Sequence, residues 1–331
     1  MKGQVLIAVV ALLLASAAVP AAYLQFAVDV NGHTTPLRWK SPSVRWFATN
    51  SGVQNVSAGA MQGAVARAFD TWQNVPTAAI SFSFAGFTGA TPFDEDGISV
   101  IGFEDEPDLE RVLGATSFVI DDVTGEIVEA DIFFNAAFQW STADAGQPGR
   151  FDLQSVATHE IGHLLGLAHS ALGETELRPS GGRRVLASSA VMFPISFGAG
   201  NIADRILQPD DVAGVSDLYP DDDFARRTGS ITGRVLLNGR PVLGAHVMAF
   251  HLESGEFVSG FTLNDAGEFQ IAGLRPGAHI IRVEPLDDAD VDSFFDLGSI
   301  EINFRPAFYS RVVAVPAGGS APRVDVTVGP K

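Results

Sequence analysis

The sequence predicts an α+β domain followed by an all-β sandwich domain. In the first two thirds of the chain, runs with apolar residues at every third or fourth position alternate with short runs of strand character. Beyond residue 224 only short alternating runs remain, separated by turn signals such as Asn238-Gly239. With 331 residues and an apolar fraction of 46%, the chain is long enough to bury two separate cores.

The first domain is predicted to contain three helices and five strands. In the first helix Met61, Val65, Phe69 and Trp72 recur at helical spacing, and Ser57 is a suitable N-cap. The last helix has a proline in its first turn, where the missing N–H is tolerated. The predicted helices span residues 57–74, 151–167 and 209–219, and the predicted strands span residues 44–49, 79–84, 98–103, 117–120 and 127–135.

A domain boundary is predicted near residue 224. Helical periodicity stops at the acidic stretch 220–223, and the pattern that follows has the spacing of a sandwich of about a hundred residues. The chain then divides into a signal peptide, residues 1–21, a first domain, residues 22–223, and the sandwich, residues 224–331. We interpret the acidic stretch as a linker and expect the first domain to work without the sandwich.

The N-terminus has the pattern of a secretory signal peptide. Lys2 precedes an apolar run over residues 5–19, and small residues offer cleavage sites after Ala17 or Ala21. An uncleaved membrane anchor is the alternative, but Ser16 and Pro20 interrupt a run that is already short for a spanning helix. We therefore expect a secreted protein, extracellular or periplasmic, with no stable membrane span after cleavage.

Composition excludes several classes of partner and site. The formal net charge of −18 argues against nucleic-acid binding, which requires clustered basic residues, and lysine occurs only at Lys2, Lys40 and Lys331. The chain has no cysteine, so a metal site must use His, Asp or Glu, and no disulfide framework can form.

The strongest chemical signal is the segment 159–170, HEIGHLLGLAHS, which holds three of the seven histidines. On a helix, His159 and His163 are four residues apart, so both imidazoles leave the same face and can share one metal ion. Glu160 directly follows His159, but this position does not require it to coordinate the metal. The pattern therefore predicts Glu160 as the catalytic base, taking a proton from a water that the metal activates.

Gly166 lies between the second and third histidines of this segment. A continuous helix would carry His169 away from the other two, whereas glycine can adopt the left-handed conformation that turns the chain back. Three neutral imidazoles with an open fourth position make a catalytic rather than a structural zinc site. We predict one catalytic Zn²⁺ held by His159, His163 and His169. Ordinary buried histidines are the alternative, which the five fixed positions at this spacing disfavour.

These motifs resemble the metzincin zinc peptidases, and most specifically their matrixin branch, which contains the matrix metalloproteinases. The resemblance covers about residues 38–220 and rests on Ser170 and on the segments 66–72, 129–135, 190–194 and 207–219. It implies a twisted five-stranded sheet with three helices and a cleft along the edge strand. It also implies that Met192 forms an apolar floor beneath the zinc, in a turn called the Met-turn, and that Asp210 and Asp211 tie the last helix to this turn.

The chain departs from the matrixin pattern at several places. Histidines of the structural-zinc loop are missing around residues 115–119 and at Phe133, so we expect no second zinc. The chain has neither a cysteine nor space for an inhibitory propeptide before residue 44, so we expect activity without further processing. An insertion between His169 and Met192 is predicted to form an exposed, flexible loop near the cleft. Four acidic residues are candidate calcium ligands: Asp121, Asp122, Glu126 and Asp131. The alternative is that they are ordinary turn residues exposed to solvent.

The segment 94–97 has the look of a calcium loop, but later ligands of such a loop are absent, so we predict a turn that leads into a strand. The sandwich resembles the carboxypeptidase regulatory-like, transthyretin-like domains of secreted enzymes, on the segments 231–235, 264–269 and 273–276. Three further histidines, which are predicted to be strand residues rather than ligands, are His246, His251 and His279.

Taken together, the patterns predict a secreted zinc endopeptidase that acts on protein or peptide substrates. The alternative is a secreted binding or adhesion protein whose metal site is vestigial. An intact Glu160 favours the enzyme, because a non-catalytic zinc protein could lose that residue most easily. The sequence predicts no oligomeric state.

Overall fold

The structure is a computed structural model that describes residues 23–31, 33–106, 109, 111–179, 181–295 and 300–331. The predicted signal peptide, residues 1–21, lies outside these ranges. Within them, no helix is both long and apolar enough to cross a bilayer.

The N-terminal part of the chain contains three helices and a mixed sheet, and we refer to residues 23–219 as the N-terminal unit. Its helices are α1 (Ala58–Gln73), α2 (Leu153–Leu164) and α3 (Pro209–Leu218). Its strands are β1 (Ala27–Val30), β2 (His33–Pro36), β3 (Arg38–Trp39), β4 (Ser43–Thr49), β5 (Ser81–Thr88), β6 (Ser99–Glu104), β7 (Gly114–Asp121), β8 (Glu126–Asn135), β9 (Trp140–Ser141), β10 (Phe151–Asp152), β11 (Gly173–Leu177) and β12 (Arg183–Ser188).

Five of these strands form the main sheet in the order β5-β4-β6-β8-β7. Strands β5, β4, β6 and β8 are parallel, whereas β7 runs antiparallel to β8 along its whole length. Short β3 pairs with the first residues of β8 and is a sixth strand that the sequence did not predict. Among the described strands β7 pairs only with β8, so it is an edge strand of the sheet, as β5 is at the opposite side.

Helix α1 confirms the predicted N-cap and apolar face. The Ser57 side chain accepts a hydrogen bond from the Ala60 N–H, and Met61, Val65, Phe69 and Trp72 are buried. These side chains form one core with the sheet and with α2. This face of α1 therefore supports the helix on which the histidine motif begins.

The insertion after His169 is a β-hairpin, not the flexible loop that its polar composition predicted. Strands β11 and β12 pair antiparallel from Gly173 with Ser188 to Leu177 with Arg183. The hairpin does lie at the cleft, as predicted, because Leu177 and Arg183 line it. A two-stranded ribbon is marginal by itself. Here contacts with the C-terminal part of the chain support it.

The C-terminal part, which we call the C-terminal unit, contains two sheets that share one apolar core. Strands β13, β14, β17 and β21 form the first sheet, and β15, β16, β18, β19 and β20 form the second. Its elements are α4 (Phe224–Arg227), β13 (Gly229–Leu237), β14 (Arg240–Pro241), β15 (His246–His251), β16 (Phe257–Phe261), β17 (Glu268–Leu274), β18 (Gly277–Glu284), β19 (Ala307–Phe308), β20 (Val313–Val315) and β21 (Val324–Val328).

The acidic stretch between the two units is fixed in place, in contrast to the predicted linker. The Asp221 N–H donates to the Thr77 carbonyl, and α4 begins directly afterwards with its first residue, Phe224, buried. The two units also share an apolar cluster, in which Phe193 of the N-terminal unit packs with Phe261 and Phe294 of the C-terminal unit. The units therefore contact each other well beyond the chain connection.

Candidate metal centre and catalytic cleft

Helix α2 carries the first two histidines and Glu160, and its start is firmly capped. The Asp152 carboxylate accepts a hydrogen bond from the Ser155 N–H at 2.9 Å, which satisfies one free donor of the first turn. Arg205 binds the same carboxylate through two nitrogens, at 2.5 and 2.8 Å. Bidentate pairing of this kind fixes direction as well as distance.

Gly166 turns the chain back after α2, as the sequence predicted, although the helix ends at Leu164, three residues before the predicted end at residue 167. Its φ is +100°, the Gly166 N–H donates to the His163 carbonyl, and the Leu167 N–H donates to the Gly162 carbonyl. These two bonds form a Schellman motif. A Cβ atom on Gly166 would lie 2.2 Å from the Leu37 carbonyl oxygen, so the close approach also requires glycine.

The structure brings His159, His163 and His169 together. One nitrogen from each ring lies within 4.8 Å of the other two, and the ring centroids are 4.7 to 5.5 Å apart. Among the residues that the structure describes, this is the one group of three or more His, Asp or Glu side chains close enough to hold a metal ion. The motif is therefore a spatial cluster as well as a sequence pattern.

Each of the three imidazoles has its Nδ1 atom against a backbone carbonyl. The oxygens belong to Val191 for His159, to Leu167 for His163 and to Ser293 for His169, each at 2.8 Å. A carbonyl can only accept a hydrogen bond, so each Nδ1 carries the proton. Each Nε2 then has a free lone pair, which is the state of a histidine that binds a metal.

Burial keeps these imidazoles neutral. It lowers the pKa of His169 to about 3, and the neighbouring His159 acts in the same direction. Burial also lowers the pKa of His159 and, together with both neighbours, takes the pKa of His163 well below its usual range. Neutral imidazoles can bind a cation, whereas protonated ones cannot.

Glu160 lies beside the cluster and is anchored by the edge strand. Its Oε2 accepts a hydrogen bond from Thr116 Oγ1 on β7 at 3.0 Å. Burial raises the pKa of Glu160 to about 8, and this hydrogen bond opposes the shift. A divalent cation among the imidazoles would favour the carboxylate, because an opposite charge stabilises the ionised form.

The turn around Met192 packs beneath α2. Met192 is fully buried, and its Sδ lies 2.2 Å from where a Cβ on Gly162 would be, so a side chain at residue 162 would collide with it. The Asp211 carboxylate accepts hydrogen bonds from the Val191 and Met192 N–H groups, at 2.8 and 3.1 Å. Asp211 therefore connects α3 to the Met-turn, as the family resemblance implied.

Asp210 makes a different connection from the one predicted. Its carboxylate accepts hydrogen bonds from Ser170 Oγ at 2.5 Å and from the Ser259 N–H at 2.7 Å. Ser170 follows the third histidine, and Ser259 lies on β16 of the C-terminal unit. Asp210 thus links the histidine segment to the C-terminal unit rather than to the Met-turn.

The histidines and Glu160 lie on a cleft of about 960 Å³. Both units contribute to its walls: the edge strand β7, the tip of the β11–β12 hairpin, the chain after the Met-turn and a segment of the C-terminal unit. The residues from these four parts are Gly114 and Ala115; Leu177, Gly182 and Arg183; Pro194, Ile195, Ser196 and Phe197; and Asp290, Asp292, Ser293 and Phe295.

Two of the candidate calcium ligands, Asp121 and Glu126, are cross-strand partners at the β7–β8 turn, whereas Asp131 lies farther along β8. Asp121 accepts hydrogen bonds from two N–H groups of its own turn, and Glu126 pairs with Lys40 at 3.4 Å. Asp131 is buried and accepts from the Phe93 and Val100 N–H groups, both at 2.7 Å. Asp131 therefore stabilises the turn before β6, which confirms the predicted turn at 94–97. A calcium role for these carboxylates stays a prediction.

Sequence reasoning missed two contributors to the site. Thr116 lies in the stretch 115–119, which drew attention only because it has no histidine. Its side chain contacts Glu160, which is 44 positions away. Ser293 is 124 positions from His169 and contributes a backbone carbonyl. No side-chain signal in the sequence could identify such a contact. His246 and His251 lie on β15 and His279 lies on β18, as predicted for strand residues.

Comparisons with known proteins point to the same region. The Peptidase M10 family model, described as matrixin, matches residues 38–220. Metalloendoproteinase 1-MMP of Arabidopsis thaliana is 33% identical over 157 residues, which are 46% of this chain and 36% of that protein. Metalloendoproteinase 5-MMP of the same plant is 40% identical over 68 residues, 20% of this chain and 14% of that protein. The aligned region thus covers about a third of the first relative.

Proposed function

The chain belongs to the matrixin family, and from this premise we propose that it is a secreted, zinc-dependent endopeptidase. The observation that carries the proposal is the cluster of His159, His163 and His169 with Glu160 beside it. The printed names of both plant relatives, which say metalloendoproteinase, support the same class of reaction.

The donor set fits a single catalytic zinc ion. Three neutral imidazole Nε2 atoms are typical zinc ligands, and three protein ligands leave a position for water or substrate. The carbonyl partners of all three Nδ1 atoms supply the outer hydrogen bonds that zinc-binding histidines usually have. When bound, zinc polarises a carbonyl group and makes water more acidic.

Glu160 performs the proton transfers in this proposal. Thr116 holds Oε2, which leaves Oε1 to take a proton from the water that attacks the peptide bond. The protonated carboxyl then delivers that proton to the nitrogen of the leaving amine. Because Glu160 is buried and anchored, it needs little rearrangement between these two steps.

The edge strand gives the cleft a means of holding a peptide. Among the strands that the structure describes, β7 pairs with β8 alone, and its residues Gly114 and Ala115 line the cleft. An extended chain can add to such an edge through backbone hydrogen bonds, largely independent of its sequence. Protein or peptide substrates cleaved within the chain fit this arrangement.

Secretion and the nature of the C-terminal unit complete the proposal. Residues 1–21 have the signal-peptide pattern described above. The two sheets with one core agree with a transthyretin-like sandwich, which the sequence resemblance suggested. Such sandwiches occur in many secreted proteins without carrying one particular activity.

A peptide-library digestion distinguishes the enzyme from a binding protein with a vestigial metal site. Zinc-loaded protein should cleave within peptides, lose this activity in chelator and recover it when zinc is restored. A protein that binds zinc but leaves every peptide intact would contradict the proposed endopeptidase and favour the binding protein.

A further inference from the structure

One of the three imidazoles is oriented by the C-terminal unit. The carbonyls that accept from His159 and His163 belong to Val191 and Leu167, in the N-terminal unit, 32 and 4 positions away. The carbonyl that accepts from His169 belongs to Ser293, 124 positions away, at the same distance of 2.8 Å. The N-terminal unit therefore supplies all three imidazoles but the orienting partners of only two.

We propose that the C-terminal unit completes the zinc centre, with the Ser293 carbonyl as the group that positions His169. Ser293 is a positioning residue, because its oxygen faces Nδ1 and not the metal. The inference rests on the proposed function, since it requires zinc at the three imidazoles. It adds that zinc affinity depends on how the C-terminal unit is docked.

The Ser293 carbonyl is held by a short, well-anchored turn. Residues Val291–Ser293 form a 3-10 helix, and the Phe294 and Phe295 N–H groups both donate to the Val291 carbonyl at 2.9 Å. Phe294 is buried, with its ring centroid 6.1 Å from that of His169 and 5.8 Å from that of Phe261. Phe294 thus anchors the turn in the apolar cluster that both units share.

The β11–β12 hairpin holds the start of the same segment. The Thr175 N–H donates to the Asp288 carboxylate at 3.1 Å, and Thr175 Oγ1 donates to the Asp288 carbonyl at 2.6 Å. Arg183 donates to the Asp287 carbonyl and pairs with the Asp290 carboxylate. The insertion of the N-terminal unit and the segment before Ser293 therefore stabilise each other beside the cleft.

The bond to Ser293 affects metal binding in two ways. It selects the tautomer of His169 that has a free Nε2 lone pair, and it fixes the ring so that this lone pair meets the other two. Losing such an outer hydrogen bond typically lowers metal affinity about 10- to 100-fold. We expect a loss in that range when the turn is released from the apolar cluster.

Zinc affinity of the full chain, measured by competition with a chelator, tests the inference. Phe294→Ala removes the anchor and should weaken zinc binding about 10- to 100-fold. Phe308→Ala removes a phenylalanine that is 65% exposed on the same sheet as Phe261, and it is the matched control with parental affinity.

Nuclear magnetic resonance of the isotope-labelled, zinc-loaded full chain gives a second measurement, independent of activity. The parent should show three slowly exchanging imidazole Nδ1–H protons, and Phe294→Ala should lose only the one of His169. A parental spectrum without that His169 proton would overturn the inference even if Phe294→Ala did not fold. Parental zinc affinity in a folded Phe294→Ala chain would overturn it too, whereas a parent that binds no zinc would contradict the proposed function itself.

Discussion

Helix α2 and the turn at residues 291–295 both contact the candidate metal ligands, but they reach the site in different ways. The helix places His159 and His163 through local contacts: a cap at Asp152, a repeat of four residues and a glycine turn. The turn reaches His169 only because two separately built cores pack together. The chemistry of this site is therefore specified locally, while its orientation depends partly on the packing of the two units.

The largest loss of zinc binding and peptide cleavage is expected when a ligand on helix α2 is removed. His163→Ala removes a central ligand, so zinc and peptide cleavage should disappear together, because two imidazoles bind zinc far more weakly than three. His33→Ala, at an exposed histidine of β2, is the control and should retain both. The zinc content of both variants and their rates of cleavage of one peptide are measured. A His163→Ala protein with a full zinc complement would show that the ligand assignment is wrong.

Removing the C-terminal unit tests how far the site depends on the packing of the two units. A chain ending at Asp223 would expose Phe193 and its buried neighbours and leave Asp210 without Ser259. Exposing each large apolar side chain costs about 1.5–3 kcal/mol, so we expect a strongly destabilised chain with weak zinc binding. This replaces the expectation of a separable first domain. The melting temperature and zinc content of the shortened chain are compared with those of residues 22–331. Equal values in the two proteins would contradict the dependence on the C-terminal unit and support a separable first domain.

A smaller loss, of folding stability and zinc affinity, is expected when the Met-turn loses its contact with α3. Asp211→Ala removes the acceptor of the Val191, Met192 and Gln208 N–H groups and should destabilise the fold by about 3 kcal/mol. Because Val191 also orients His159, zinc affinity should fall as well. Asp217→Ala, on the same helix but bonded to one side chain, Gln25, is the control in denaturant unfolding. Equal losses in both variants would contradict the special role of Asp211.

The smallest effect concerns pH at the contact between the units. Burial raises the pKa of Asp210 to about 7 from its usual 3.8, so folding favours the protonated carboxyl. Its contribution to stability is then fully present below about pH 4 and is lost as the pH rises to about 7. Asp210→Asn should melt a few degrees higher relative to the parent at pH 8 than at pH 4. Melting curves with the same pH dependence in both proteins would contradict this assignment.

How much the sequence predicts depends on the range of the contacts involved. Helix α1 lies within one residue of its predicted span, and the five predicted strands all exist, because apolar periodicity is a local property. The β11–β12 hairpin was missed because its polar strands have no apolar alternation of their own. It is ordered by contacts with Asp288 and Asp290, more than a hundred positions away.

The candidate site shows the same division. The three histidines, Glu160 and Gly166 follow from spacing on one helix and its end. Thr116 and Ser293 do not, since one comes from a neighbouring strand and the other acts through its main chain. The sequence therefore predicts which atoms take part in the chemistry, and tertiary packing decides how they are oriented.

The Glu160→Ala variant tests the central claim most directly, because it separates metal binding from catalysis. Its three imidazoles and their carbonyl partners remain, so the variant should keep zinc with close to parental affinity. Loss of the general base should lower peptide cleavage about a hundred- to ten-thousand-fold. Zinc content and cleavage rate, measured on one preparation, give the answer. A Glu160→Ala protein that hydrolyses peptides at the parental rate would contradict the account.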